Sequence, residues 1–367
     1  MKVLLLSCST GEGHNHCAGA EREALAARGH ETEFLDLLQM FGEPGPLSFD
    51  KILNRISTKA PELFGMMYHA GAMYSATGVT SPVYLANIRH ARQLREFILA
   101  RGYDAVVCSH LFPMETLTFL RRHEDLPVRC YGVLSDYTCI PFLAETELDG
   151  YFLPHTDVRA DCVSAGMPAE KLIVSGMPVA AKFTAPMTKQ AARELLGLPQ
   201  DKRIYLIMTG GIGCGDAVTL CEAIRRVPDE DALLCVLPGR NEELRMALAE
   251  KYAGHGVLAV PFTDQVPAYM HAADVLLSKA GGISSAEAAV LGVPLVHTMA
   301  IPGVETQNAA FFAAHGMSFF AQNPDEAARF ADRLIFDVKT RKRMLAAQNA
   351  ELPKDAAARI AASLEHS

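Results

Sequence analysis

LLLSCSTGEGH, residues 4–14, carries an apolar strand straight into a glycine-rich turn, and YLIMTGGIGCG, residues 205–215, repeats the device in the second half of the chain. An uninterrupted apolar run of strand length reads as a strand buried on both faces, the habit of parallel sheets. Glycine directly after such a strand lets the backbone turn sharply into a helix whose first amides stay open. Working outward, KVLLLS (2–7) leads to a helix over Cys17–Arg28, then TEFLDL (32–37), DAVVCS (104–109), VRCYGVLS (128–135) and GYFLP (150–154). Around the second stretch come ALLCVLPG (232–239), GVLAVPF (256–262), DVLLSKAGG (274–282) and PLVHTM (294–299), with helical patterns between them. Strands alternating with helices predict βαβ units. The chain therefore reads as α/β, with two doubly wound, Rossmann-like domains facing across a cleft at their strand ends.

At 367 residues the chain exceeds the length at which one core stops growing, about 250–300 residues. GMPVAAKFTAPMTKQ (176–190) is rich in Pro, Gly and Ala, has a helix start after Thr188, and reads as the linker. The expected organisation is an N-terminal domain over 1–180, a second domain over 188–335, and a helical segment over 336–367 that crosses back to the first. Half of the residues are hydrophobic and 21% are charged, which excludes disorder. The net charge of −8 excludes a general attraction to nucleic acid. Nine cysteines, without C-x-x-C or zinc-site spacing, read as buried free thiols in a reducing cytoplasm. No run reaches the roughly 20 apolar residues of a membrane span, so a cytoplasmic protein with at most peripheral contact at the inner face of the cell membrane is expected.

The strongest local signal is SKAGGISSAEAAVLGVPLV, residues 278–296, in which Gly281 and Gly282 turn a strand into a helix opened by Ser284 and Ser285. Amides at such a helix start bind phosphate oxygens, and Glu287, set in the first turn, can reach ligand hydroxyls. Ser-x-x-Glu is equally a capping box.

With STGEGH (9–14), DYTCIPF (136–142), SGMPV (175–179), PGRNE (238–242) and PGVETQN (302–308), this stretch resembles the GT-B glycosyltransferases of family 28. That family includes the processive diacylglycerol glucosyltransferases and monogalactosyldiacylglycerol synthases. The resemblance spans most of the chain and implies a UDP-sugar donor held by the C-terminal half, with no further cofactor. It implies that Gly281, Gly282, Ile283 and Ser284 lie against the diphosphate, that Glu287 holds the ribose, and that Phe262 in VPFTDQVPAYM frames the uracil. Glu305 and Asn308 would touch the donor sugar, although Thr306 and Gln307 differ from the commoner residues there. Gly210, Gly211 and Gly213 form one loop facing the cleft and Gly239, Arg240 and Asn241 a neighbouring one, Arg240 being a possible cationic helper for the departing diphosphate. An isolated glycine, by contrast, reads only as a turn.

In the first half, Gly13 and His14 follow the first strand, and inverting transfer needs a base for the acceptor hydroxyl proton. The resemblance assigns that role to His14, with Glu12 and His16 as neighbouring candidates; a glycine-flanked histidine on its own reads as a helix cap. His16 occupies the third position of a would-be G-x-G-x-x-G, which disfavours a nicotinamide cofactor. Asp136 closes another strand and reads as acceptor-binding or base, or else as a cap. The diacylglycerol transferases place a His and a Trp where this chain has Ile140 and Leu143. Metal is not expected, since the one D-x-D, Asp229 to Asp231, falls in a connector.

Residues 48–101 carry a local charge of +4, with Leu63, Phe64, Met66, Met67 and Tyr68 interleaved. The stretch reads either as a peripheral membrane and lipid-acceptor surface or as a helical face laid over the core. The leading expectation is an inverting, metal-independent transferase moving glucose or galactose from UDP to a lipid hydroxyl, most simply 1,2-diacylglycerol. The alternatives are a UDP-sugar transferase with a soluble or polyprenyl-linked acceptor, and a UDP-sugar-binding sensor without turnover.

Overall fold

The structure, a computed structural model, describes residues 1–8, 12–40, 56, 60–211, 213, 217–226 and 231–366. They form two compact units, one of Met1–Ala181, Ile301–Val304 and Pro353–Ser367 and the other of Lys182–Ala300 and Glu305–Leu352.

Unit 1 runs β1 (Lys2–Ser7), α1 (Glu12–Ala27), β2 (Glu31–Asp36), α2 (Pro61–Ser75), α3 (Pro82–Asn87), α4 (Ala91–Arg101), β3 (Ala105–Cys108), α5 (Leu111–His123), β4 (Arg129–Val133), β5 (Gly150–Leu153), α6 (Thr156–Ser164) and β6 (Leu172–Val174). Its sheet has the order β2-β1-β3-β4-β5-β6, parallel throughout. Val3, Leu4, Leu5 and Leu6 of the central β1 are wholly buried, each worth about 1.5–3 kcal/mol in side-chain burial.

Unit 2 runs α7 (Lys189–Leu196), β7 (Arg203–Met208), α8 (Ala217–Arg225), β8 (Ala232–Leu237), α9 (Glu242–Lys251), β9 (Val257–Ala259), α10 (Val266–Ala272), β10 (Val275–Lys279), α11 (Gly282–Leu291), β11 (Leu295–Met299), α12 (Val304–Ala314), β12 (Phe319–Phe320), α13 (Pro324–Phe336) and α14 (Val338–Glu351). Its parallel sheet has the order β12-β11-β10-β7-β8-β9. Thr188 caps α7 by accepting the Ala191 amide at 3.2 Å, and Gly197, with φ 64°, closes the helix in the left-handed region that glycine favours. The last helix, α15 (Ala356–His366), lies in unit 1, where Glu365 pairs with Arg28 and meets His30 Nε2 at 2.7 Å.

The strand orders locate the sites. From β1 the chain moves outward to β2 and then returns to the other side at β3, so the reversal in unit 1 lies between β1 and β3. In unit 2 it lies between β7 and β10. Ligands of open α/β sheets bind in the crevice beyond the carboxyl ends of the strands at such a reversal.

Two elements escape the sequence pattern. β6 and β12 are three and two residues long, below the length at which periodicity registers. α1 begins at Glu12 rather than Cys17, because its first turn is polar and shows no apolar period, with Gly13, His14 and Asn15 half-buried and His16 exposed.

Candidate functional site

Beyond β7 and β10, three glycine-bearing turns of unit 2 lock together. Gly210 and Gly213 have φ of 79° and 75°, and the Gly213 amide donates to the Gly210 carbonyl at 3.1 Å. The Arg240 amide donates to the Gly211 carbonyl at 3.0 Å, and the Asn241 side-chain amide donates to the Gly213 carbonyl at 3.1 Å. Asn241 also caps α9, accepting the Leu244 amide at 2.9 Å. Gly239, with φ 65°, leaves no room for a side chain, since a Cβ there would sit 2.3 Å from the Gly210 carbonyl oxygen.

The third turn starts α11. Gly281 is its N-cap and carries no side-chain cap, which leaves the first amides of the helix to a ligand. The helix begins at Gly282, two residues before Ser284, so two sequence expectations are corrected. Ser284 lies inside the helix and donates to the Gly281 carbonyl at 3.2 Å, so Ser284 and Glu287 form no capping box. Glu287, 4% exposed, falls in the second turn rather than the first. Ile283 is buried beside it.

Glu305 opens α12 at 6% exposure and meets Lys279 Nζ at 2.5 Å. Asn308, one turn on and wholly buried, donates to the Ala280 carbonyl at 3.2 Å and ties α12 to the third turn. Phe262 is 60% exposed, and the Arg240 guanidinium lies 4.5 Å from its ring centre. Arg240 is thus engaged on an aromatic face. The fold brings the turns after β7, β8 and β10 and the start of α12 into one locality.

In unit 1, His14 rises from the first turn of α1 beside Gly13, at the β1/β3 reversal. Its Nδ1 lies 2.9 Å from the Ser109 carbonyl. A carbonyl only accepts, so Nδ1 carries the proton and Nε2 keeps the lone pair. The Ser135 hydroxyl stands 2.9 Å from the same Nδ1 and donates to Asp136 Oδ2 at 3.4 Å, linking the carboxylate to the imidazole. Burial lowers the His14 pKa from 6.5, offset in part by Asp136 and by the bond to Ser109. His110 meets His14 edge-on, ring centres 4.5 Å apart. Burial and its neighbour His14 hold His110 well below 6.5, and its Nδ1 accepts the Phe112 amide at 3.1 Å as the cap of α5. Spacing alone hides Ser109, His110 and Ser135, yet each follows a strand at the end where His14 stands. His16 is exposed. Ser9, Thr10 and Gly11 of STGEGH lie outside the described residues, as does the Glu12 side chain.

The DYTCIPF segment ends in a strained residue. Phe142 has φ 69°, a conformation that costs a non-glycine residue about 1–3 kcal/mol. It is held by its amide donating to Ser75 Oγ at 2.9 Å and by its ring against Tyr74, both on α2. Tyr68, also on α2, is pushed up to about 12 by burial and then by the charges of Asp136 and Cys139. Leu143 is fully buried and Ile140 half-buried. Cys139 is half-buried, against the expectation of burial for every thiol, because it lies on this segment rather than in a strand or helix; the other described cysteines are buried and unbridged.

α2 carries features of both readings of its region. Gly65 is buried and Phe64 and Tyr68 are half-buried, so one face packs on the fold, whereas Leu63, Met66, Met67 and Met73 are exposed, Met73 by 76%. Val79 and Leu85, which follow α2 in the chain, are exposed as well. Of the basic residues, Arg92 and Arg95 pair with Glu124, and Arg101 with Glu33. Lys51, Arg55 and Lys59 lie outside the described residues, as do Asp229 and Glu230. Among the described residues no helix is long and apolar enough to cross a membrane.

Comparison with known proteins bears on both halves. The family described as monogalactosyldiacylglycerol (MGDG) synthase matches residues 14–179, and the glycosyltransferase family 28 C-terminal domain matches residues 217–360. A processive diacylglycerol beta-glucosyltransferase of Bacillus mycoides is 27% identical over 342 residues, covering 92% of this chain and 86% of the relative. Acinetobacter baumannii MurG aligns with a TM-score of 0.65 at 14% identity, over 100% of this chain and 99% of its own. The UDP-GlcNAc 2-epimerase of Neisseria meningitidis, solved bound to UDP-GlcNAc, aligns at 0.62 and 14% identity over 100% of both chains. At such identities the solved structures establish the fold alone, and the enzyme class rests on the family matches and the curated relative.

Proposed function

We propose, on the premise that this chain is a GT-B glycosyltransferase with an MGDG-synthase-type N-terminal half and a family 28 C-terminal half, that it moves glucose or galactose from a UDP-sugar to the hydroxyl of 1,2-diacylglycerol with inversion. One observation carries the donor half of this reading: the uncapped N-terminus of α11, framed by the Gly210 and Gly239 turns. Its amides suit a diphosphate. Phe262 offers an exposed ring for stacking on uracil, Glu287 a carboxylate for the ribose, and Glu305 and Asn308 border the place of the sugar. The acceptor follows the lipid acceptor named for the curated relatives, and the exposed apolar face of α2 supports docking at a membrane surface.

In the reaction the acceptor oxygen attacks the anomeric carbon as the bond from that carbon to the diphosphate oxygen breaks. UDP leaves with the bonding electrons. The hydroxyl proton passes to Nε2 of His14, and the imidazolium that forms is stabilised through Ser135 by Asp136. Burial favours the neutral form of His14, whose Nε2 can take up the proton. No step calls for a metal ion, and activity is expected to survive EDTA.

The test is UDP release from a panel of UDP-sugars, with and without diacylglycerol vesicles. Release that depends on vesicles and is lost in His14→Ala supports the reading. Release that needs only a soluble or polyprenyl acceptor overturns the lipid assignment. UDP binding without turnover for any acceptor identifies a sensor.

A further inference from the structure

We infer that Lys279 is the cation that receives the diphosphate of the donor, and that Glu305 holds its ammonium in position until the donor arrives and is then freed for the sugar hydroxyls. The inference rests on the donor site proposed above.

Lys279 is the last residue of β10, one step before the turn into α11. Its side chain runs over the first glycine turn: a Cβ on Gly210 would lie 2.5 Å from Lys279 Cε and 3.7 Å from Nζ. A Cβ on Gly281 would lie 4.0 Å from the same Nζ. The absent side chains of two glycines thus make the path along which this ammonium reaches the start of α11. There it meets Glu305 Oε1 at 2.5 Å, with the carboxylate side chain 8% exposed and the lysine 24%. A lysine stem threaded between two side-chain-free turns is held in one place, as a solvated surface lysine is not.

Charge explains why the pair is needed. A carboxylate as buried as Glu305, beside amides that would cradle a diphosphate, repels the ligand unless a cation stands between them. Arg240 is engaged on Phe262, whereas the Lys279 ammonium stands within the ring of turns. A compact ammonium with several donors suits bridging of phosphate oxygens. When the diphosphate takes part of that ammonium, the Glu305 carboxylate gains an open lone pair for a sugar hydroxyl, so donor binding itself prepares the sugar contact. As UDP departs, Lys279 meets the charge that develops on the leaving oxygen.

The experiment is calorimetric titration of the full chain with uridine, UMP and UDP, comparing wild type with Lys279→Gln, Lys279→Arg and Glu305→Gln. Lys279→Gln is expected to leave uridine binding unchanged and to weaken UDP by about tenfold or more, collapsing the preference for UDP over UMP. Lys279→Arg retains most of that preference. Glu305→Gln binds UDP at least as tightly as wild type but loses transfer from UDP-hexose. If Lys279→Gln, folded by circular dichroism, binds UDP within twofold of wild type, the inference is overturned while the donor site stands. If Lys279→Gln does not fold, Glu305→Gln decides, because a weaker grip on UDP in that variant contradicts a carboxylate that competes with the diphosphate for the ammonium. Wild type that binds neither uridine nor UDP would overturn the donor site and this inference together.

Discussion

Replacing Gly239 with alanine tests whether the three turns of unit 2 form one binding surface. Its φ of 65° lies in the left-handed region, which costs a residue with a Cβ about 1–2 kcal/mol. The new methyl would also stand 2.3 Å from the Gly210 carbonyl oxygen and 2.6 Å from that of Gly211. Both obstacles are backbone, so neither can swing aside, and the turn after β7 must separate from the turn after β8 by several tenths of an ångström. Gly254 is a matched control in the same unit: its φ is 74°, and a Cβ there meets nothing within 4 Å. Both variants are expected to lose stability by the conformational cost, but only Gly239→Ala should lose UDP affinity. The loss is expected to be about tenfold or more, on the order of 1.4 kcal/mol. Calorimetry with UDP gives the affinity and denaturant melts give the stability. Equal UDP affinity in the two variants would refute the view that the turns hold the nucleotide jointly.

Three further outcomes follow from single contacts. Burial holds His14 below 6.5, with Asp136 working in the opposite sense, so the acid limb of kcat/KM should lie below pH 6.5 and Asp136→Asn should move it lower still. A limb that rises on that substitution contradicts the link through Ser135. His297 lies wholly buried between the Ser285 and Ser318 hydroxyls, and burial lowers its pKa from 6.5 to about 3. As pH falls below 6.5 the unfolded chain takes the proton first, so this group should cost about 1.4 kcal/mol of stability per pH unit down to its folded value. Urea melts of wild type and His297→Gln between pH 5.5 and 4.5 should differ in slope by about that amount, and equal slopes would refute the assignment. Met66→Ser with Met73→Ser removes the two most exposed large apolar side chains of α2. Co-sedimentation with diacylglycerol vesicles should drop several-fold while UDP affinity stays constant, and unchanged co-sedimentation would move the docking surface elsewhere.

Much of the fold was legible because buried parallel strands announce themselves. KVLLLS, DAVVCS and ALLCVLPG are continuous apolar runs ended by turn residues, and each became an interior strand. β6 and β12 were hidden because their few residues show no period. The glycine turns of unit 2 were legible from glycines after strands, whereas the Lys279 side chain laid over them was not, because a lysine at a strand end is ordinarily solvated. Ser109, His110 and Ser135 were hidden because they lie after β3 and β4, far from His14 in sequence, and only the sheet order β1-β3-β4 brings them to it. Glu287 was set one turn early in the helix, since Ser-x-x-Glu imitates a capping box where the helix in fact starts at Gly282.

The central claim is that this chain builds a β-linked hexosyl diacylglycerol with His14 as the base. Its most direct test is to incubate the protein with UDP-glucose or UDP-galactose and diacylglycerol vesicles, then isolate the lipid and read its anomeric coupling by NMR. A β-hexosyl diacylglycerol from wild type, absent from His14→Ala although that variant still binds UDP, is the expected result. An α-linked product, or the same β-linked product formed at wild-type rate by His14→Ala, would contradict the account.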